Sequence, residues 1–498
     1  MQTSVHYLHN ALMSFHAGVD ALCSRMMDPA TWAEERFGRV DLGDRRRTAR
    51  LVRVAASAAM WPAGTVTAVF TDDAERQGAY DFLESEHVDA DALERGVGET
   101  LAIRCAKEER IFVAVDGSSL SFVDRTGTRG LGAIGTYAAG ALGLKVISAL
   151  ALSCDGVPLG LLRQVMWRRP VERPTNRRTA KNRPVAKKET RHWLDAITAS
   201  AERVAAVPDA ARITYLVDRE GDNAAILCTL VGTKQDFVVR GNWDRTVDAE
   251  DGRSWKLRDL VGYQRLLGSY DVELAAGPGR TARVANVTLR AVDVLLTLKD
   301  PVSGKRMQVK LSAVNAREMG SCPNEDERLD WLLLTNTRVR NFKEARAVVA
   351  SYTLRWRIEE FHRTWKSGHC NVEESQLRSE TALRKWALVL AAVASRIERL
   401  KLLARTTPDM PADLEFSEVE LHALVLLKRR IKKKNESIPD SVPTIAQATL
   451  WLAQLGGYTG KGSGGPPGTI TISRGLFKLR AAADVIAAFL AADDEENG

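Results

Sequence analysis

Apolar positions recur at helical spacing through the segment Trp32–Leu101. Asp44 is placed to cap a helix reading RRRTARLVRVAASAAM, with Leu51, Val54 and Ala55 on one face. Two more helical signals follow, DDAERQGAYDFLES and DADALERGVGETLAIRCA. The texture then changes. IFVAV (111–115), GLKVISALALS (143–153), GVPLGLLRQVMW (156–167), ITYLV (213–217) and DFVVRG (236–241) are short runs rich in β-branched residues. They alternate with helical stretches at HWLDAITASAERVAA and DNAAILCTLVG, which predicts an α/β sheet. From about 242 to 336 strand follows strand, as expected of a β-rich insertion in that domain. Residues 341–366 are strongly helical, and helices continue to about 403.

Beyond that lie helix signals, a basic run KRRIKKK (428–434), a Gly/Pro-rich linker (456–468) and a final amphipathic helix at about 473–492. The expected division is a weakly patterned extension (1–30), a helical domain (31–104), an α/β domain (105–403) with its β insertion, and a helical C-terminal domain (404–498). No repeat of fixed period is present.

Composition narrows the class. The 498 residues leave room for two to four domains, and 45% hydrophobic content is globular. Lys and Arg number 71 against 63 Asp and Glu, a net charge of +8, which points to a polyanionic partner. No run of 18 uncharged apolar residues suggests a membrane span, and the N-terminus lacks the layout of a secretory signal. Six scattered cysteines make neither a disulfide framework nor a zinc ribbon, so a reduced cytoplasmic setting is expected.

Two apolar pentads end in aspartate, IFVAV before Asp116 and ITYLV before Asp218. Ligand sites in open α/β sheets lie at such strand ends, although an aspartate there also serves turns and helix caps. The stretch YTLRWRIEEFHRTWK (352–366) carries more information. At about 100° per residue, Tyr352, Arg355, Glu359 and Lys366 share an arc of about 60°, whereas Glu360 falls well off it. Leu354, Ile358, Phe361 and Trp365 form the greasy face. An ordinary solvated face with i,i+4 ion pairs would read the same way. Asp116, Asp218 and Glu359 together suggest a divalent-metal site for phosphoryl transfer, with Arg355 and Lys366 beside it to hold a phosphate.

Elsewhere, GGYTGKGS has the wrong spacing for an ATP-binding loop, and His362, His369 and Cys370 lack a fourth zinc partner. Arg46, Arg47 and Arg50 are spaced to meet one DNA backbone or groove, although a solvated basic face would read the same way. Segment 163–191 holds eleven Lys/Arg against two Glu and three prolines, which predicts a loop, read either as a contact to the DNA backbone or as a plain solvated loop.

LGDRRRTARLV (42–52), QGAYDFL (77–83), VDGSSLSF (115–122), VDREGD (217–222), FVVR (237–240), WLLLT (331–335) and YTLRWRIEEFHRTWKSG (352–368) carry a family resemblance. In their order and spacing the chain resembles the bacterial DDE transposases of insertion-sequence family four, in the pattern of transposon five. The resemblance implies a ribonuclease-H-like core and makes Asp116, Asp218 and Glu359 the metal-binding catalytic triad. It gives Tyr352, Arg355, Lys366 and Arg240 to DNA phosphates and Trp331 to a base flipped from the transposon end. It makes the N-terminal helices, with Arg46, Arg47 and Arg50, the reader of that end, and the C-terminal helices a dimerisation region.

The implied activity is cut-and-paste transposition through a DNA hairpin, with two divalent ions, Mg2+ or Mn2+, and a homodimer on double-stranded DNA. The alternatives are a purely hydrolytic nuclease of the ribonuclease-H type and an inactive DNA-binding regulator.

Overall fold

The computed structural model describes residues 29–172, 183–249, 251–274, 281–320, 322, 328–460 and 465–497. Most of the N-terminal extension, the centre of basic segment 163–191 and part of linker 456–468 lie outside the described residues. The chain separates into two compact units. One combines the described residues up to Gly96 with those from Arg363 onward; the other is Val97–His362.

The N-terminal helices are α1 (Pro29–Phe37), α2 (Arg45–Met60), α3 (Val66–Val69), α4 (Asp73–Glu84) and α5 (Ala90–Cys105). Asp44 caps α2 as predicted, accepting from the Arg46 N–H at 2.8 Å, and Leu51, Val54 and Ala55 are buried. Among the described residues twelve strands follow. They begin with β1 (Arg110–Ser121), β2 (Gly132–Ala133), β3 (Leu142–Leu152) and β4 (Pro158–Trp167). Helix α6 (Thr190–Ala205) leads to β5 (Arg212–Val217), and α7 (Ala224–Gly232) leads to β6 (Asp236–Arg240). Next come β7 (Thr246–Asp248), β8 (Ser254–Lys256), α8 (Leu257–Gly262), β9 (Gly268–Leu274), β10 (Arg283–Lys299), β11 (Arg306–Met319) and β12 (Asp330–Thr335). The remaining helices are α9 (Phe342–Thr353), α10 (Trp356–Arg363), α11 (Glu380–Thr406), α12 (Glu418–Ile431), α13 (Ile445–Leu455) and α14 (Thr469–Asn497). Among the described residues, no helix is long and apolar enough to cross a membrane.

All twelve strands join one sheet, in the order β2-β3-β1-β5-β6-β12-β11-β10-β7-β8, with β4 on β3 and β9 on β10. Among the described residues the β1–β5 and β5–β6 pairs are the parallel ones, with α6 leading into β5 and α7 into β6. Alternate residues of these strands, Ile111, Val113, Val115, Ile213, Tyr215 and Val217, face one core with Trp193 and Ile197 of α6. The expected β insertion extends this same sheet, since β12 pairs antiparallel with β6. RVANVTLRAV and VLLTL, parted in the sequence by Asp293 alone, lie in one 17-residue strand, β10.

In the helical unit, α11 is the central element. Trp386 donates from Nε1 to the Gly64 carbonyl at 2.8 Å, and Lys385 donates to the Leu83 and Ser85 carbonyls. Arg480 of α14 donates to the Ala59 and Met60 carbonyls at the end of α2. The N-terminal and C-terminal helices therefore share one buried interior.

Two sequence expectations are corrected. Asp116 does not end its strand: β1 runs on to Ser121, because pairing with β3 continues from Phe112↔Leu152 to Ser121↔Gly143. Nor is 352–366 a continuous helix. Tight i→i−3 bonds, Leu354 to Ser351 and Arg355 to Tyr352, close α9 before α10 begins. A π turn, Thr364–Gly368, then follows α10, with the His369 N–H reaching the Thr364 carbonyl. The 100° wheel thus holds within α10 and fails on both sides of it.

Candidate active site

The parallel pairing of β1 with β5 ends at Val115↔Val217. Asp116 and Asp218 are the next residues on these adjacent strands, so strand register alone sets two carboxylates at one level. Asp218 leaves the sheet there and caps a short 3-10 turn, accepting from the Glu220 N–H. Asp116 stays in β1 opposite Ser148 of β3.

The third acid comes from α10. Arg355, just before that helix, lies 3.2 Å through Nη1 from Asp116 Oδ2 and 2.5 Å through Nη2 from Glu359 Oε1. One guanidinium thus ties the helix acid to the strand acid, with Arg355 itself 239 residues from Asp116 in sequence. His362, one turn after Glu359, meets Ser148 at 3.2 Å, and Gln164 of β4 donates to the same hydroxyl. This buried polar link seats α10 on β3. Strand residues Ser148 and Gln164 carry no motif, so the sequence offered no signal for them.

Burial pushes the Asp116 carboxyl up to about 7, and the charge of Asp218 beside it pushes in the same direction. Arg355 and the Gly117 N–H pull it down, and Glu359 adds a further upward push. Burial and two neighbouring negative charges make the ionised form of Asp116 costly, a cost that a divalent cation, which favours hard oxygen ligands, offsets. Among the described residues, no three His, Cys, Asp or Glu side chains are gathered closely enough to hold an ion as they stand. Arg355 supplies the positive charge between Asp116 and Glu359 in this arrangement. The donors fit such an ion in chemistry and charge.

An aromatic and cationic chain extends from the acids. Tyr352 is buried. Its ring meets Trp331 edge-on at 5.3 Å, and the Arg355 guanidinium lies 5.9 Å from its centroid. Arg240, the last residue of β6, stands over Trp331 at 5.6 Å. Burial lowers the Arg240 pKa and raises that of Tyr352.

The other expected residues lie in the helical unit. Lys366 is on the π turn and pairs with Glu373 at 3.5 Å. The Arg46 side chain is 93% exposed. Arg47 donates to the Leu42 and His87 carbonyls, and Arg50 lies 3.4 Å from Glu75. Cys370 is buried in this unit and His369 is half-buried.

Three family models match the chain in succession. Transposase DNA-binding matches residues 29–88, the transposase DDE domain 159–395, and the transposase Tn5 dimerisation domain 392–496. The DDE match covers Asp218 and Glu359 and begins after Asp116. With that match over it, the mixed α/β unit is a ribonuclease-H-like core.

Proposed function

The chain belongs to the Tn5-like DDE transposases, DNA-acting enzymes that depend on a divalent metal, and on that premise we propose cut-and-paste transposition through a DNA hairpin. Asp116, Asp218 and Glu359 would hold two ions, Mg2+ or Mn2+. When bound, these ions would supply Lewis-acid activation of the attacking and leaving oxygens of an in-line displacement. The observation that carries this reading is the level shared by Asp116 and Asp218, with Glu359 tied to it through Arg355.

Hydrolysis at the element end breaks one phosphodiester bond and frees a 3′ hydroxyl. That hydroxyl attacks the opposite strand, forms the hairpin and releases flanking DNA. A second hydrolysis opens the hairpin, and the 3′ hydroxyl then attacks a target phosphodiester. Each step exchanges one P–O bond for another, so one site serves all four. Arg355, Tyr352 and Arg240 would position scissile phosphates, Trp331 would receive the unpaired base, and Lys366 would bring a further cation to the backbone. Arg46, Arg47 and Arg50 would contact the element end, and a dimer would let each core act on the end held by its partner. The reading places the protein in the cytoplasm, on the nucleoid when bound to DNA.

The test uses DNA from the flanks of the gene that carries its short inverted repeats. With Mg2+, the protein should yield nicked, hairpin and excised species in sequence, then joined target. Excision without joined product would favour a purely hydrolytic nuclease. Absence of any cutting would favour an inactive regulator.

A further inference from the structure

Trp243 is the most exposed tryptophan of the chain, at 61%. It sits in the turn after β6, and this turn is fixed on three sides. The Gly241 N–H donates to the Leu332 carbonyl of β12 at 2.7 Å. Asp222, whose side chain is wholly buried, accepts at one oxygen from the N–H groups of Asn242 and Trp243, at 2.7 and 2.9 Å. Its other oxygen receives Arg245 through Nε at 3.0 Å and Nη2 at 2.5 Å, and Arg245 also donates to the Asp222 carbonyl at 2.9 Å. A buried carboxylate with both oxygens filled is an expensive way to shape a surface turn unless the turn must hold its form. Here it immobilises a backbone that carries an open indole.

The place of the turn supplies the ligand. β6 pairs in parallel with β5 through Val217↔Val239, so Arg240 follows at the level of Asp218, and the 241–245 turn leaves the same strand ends as the acids. Asp222 itself lies four residues beyond Asp218. Arg219 is exposed nearby and its charge acts on Arg240. An exposed indole on a rigid turn that begins one residue after Arg240 suits the flat face of a nucleobase whose phosphate meets that cation. Trp331 already has Arg240 over its ring and Tyr352 at its edge, whereas the face of Trp243 is open.

We infer that Trp243 is a second base-stacking site, which takes an unpaired DNA base next to the acidic cluster and is held ready by Asp222 and Arg245. The inference rests on the DNA-acting reading above. Its chemistry is shared by an unpaired base of the element end and one of the target.

The full-length protein is titrated with a fluorescent dT12 oligomer and with an abasic oligomer of equal length. Trp243→Ala should weaken dT12 binding about five- to 150-fold and leave abasic binding unchanged, with Trp243→Phe near wild type. Asp222→Asn should weaken dT12 binding while the indole remains, because the turn loosens. Equal dT12 affinity in Trp243→Ala and wild type, or an equal loss on both oligomers, would overturn the inference while the DNA-acting reading stands. Failure of the wild type to bind either oligomer would overturn the inference, and failure to bind the end duplex as well would overturn the DNA-acting reading. An end duplex with one unpaired base and a target duplex with one unpaired base identify the source: the Trp243→Ala loss should appear on one or both, and its absence from both would also reject the site.

Discussion

Asp116 and Asp218 occupy one level on adjacent parallel strands, each one residue past the Val115↔Val217 pair. The fold brings two like charges together before any ligand arrives, and burial raises the cost at Asp116. A cation that satisfies them should therefore stabilise the native state. Titrating Mg2+ into metal-free protein should raise the melting temperature of the sheet unit, by up to about 2.7 kcal/mol of stability at 100 times the dissociation constant. Asp116→Asn, Asp218→Asn and Glu359→Gln should each lose this shift. Each should also lose DNA cleavage by roughly a thousandfold or more while still binding DNA. An unchanged Mg2+ shift in all three variants would remove them from the metal site.

Arg355 sits where an ion between Asp116 and Glu359 would compete with it. Arg355→Met leaves two partly buried carboxylates without their cation, which should destabilise the metal-free protein by roughly 2–3 kcal/mol. Added Mg2+ should recover more stability in this variant than in wild type. Arg355→Lys should fall between them, since a single ammonium cannot span both acids as the forked guanidinium does. Denaturant melts with and without Mg2+ measure both effects.

The strands that carry Asp116 and Asp218 were legible because alternation and β-branching are local properties. The broken helix was not. Apolar spacing across 352–366 reads as one amphipathic face, yet the turn at Leu354 and Arg355 leaves Tyr352 in the core and detaches it from the wheel. Likewise, three arginines spaced for one DNA groove look equivalent in sequence. Two of them have neighbours, His87 and Glu75, that only tertiary folding supplies. The union of N-terminal and C-terminal helices through Arg480 and Ala59, 421 residues apart, has no local signature at all.

His369 gives the helical unit an acid limit. Burial first, and then the positive charge of Arg480, hold its imidazole down at about 3. In the unfolded chain it titrates near 6.5. Between these values the unfolded state binds the extra proton, so stability falls as pH drops below about 6.5 and keeps falling toward 3. From pH 7 to 5 the histidine should cost about 2 kcal/mol. His369→Gln should lack that part of the slope, whatever its stability at pH 7. Parallel pH profiles for the two proteins would disprove the assignment.

Gly64 is a steric limit in the same unit. A Cβ there would stand 1.9 Å from the Asn371 carbonyl oxygen, while its own carbonyl accepts from Trp386. Neither contact belongs to a flexible side-chain tip, so the backbone must move. Gly64→Ala should cost about 2–3 kcal/mol or more and lower the melting temperature of the helical unit. A melt within 0.5 kcal/mol of wild type, the usual range for surface changes, would mean that the interior yields more readily than this packing implies.

The arginines of α2 divide by what they already bind. Arg46 is exposed, with only Asp44 near it at 3.4 Å, so its removal should leave stability within about 0.5 kcal/mol. If it meets a phosphate of the element end, Arg46→Ala should lower the slope of log affinity against log salt by about 0.9. Arg47 spans the Leu42 and His87 carbonyls, and Arg47→Ala should cost about 1–2 kcal/mol of folding stability with a smaller change in salt slope. Binding isotherms at several salt concentrations, paired with denaturant melts, separate the two roles. A full unit of slope lost by Arg47→Ala with stability intact would reverse the assignment.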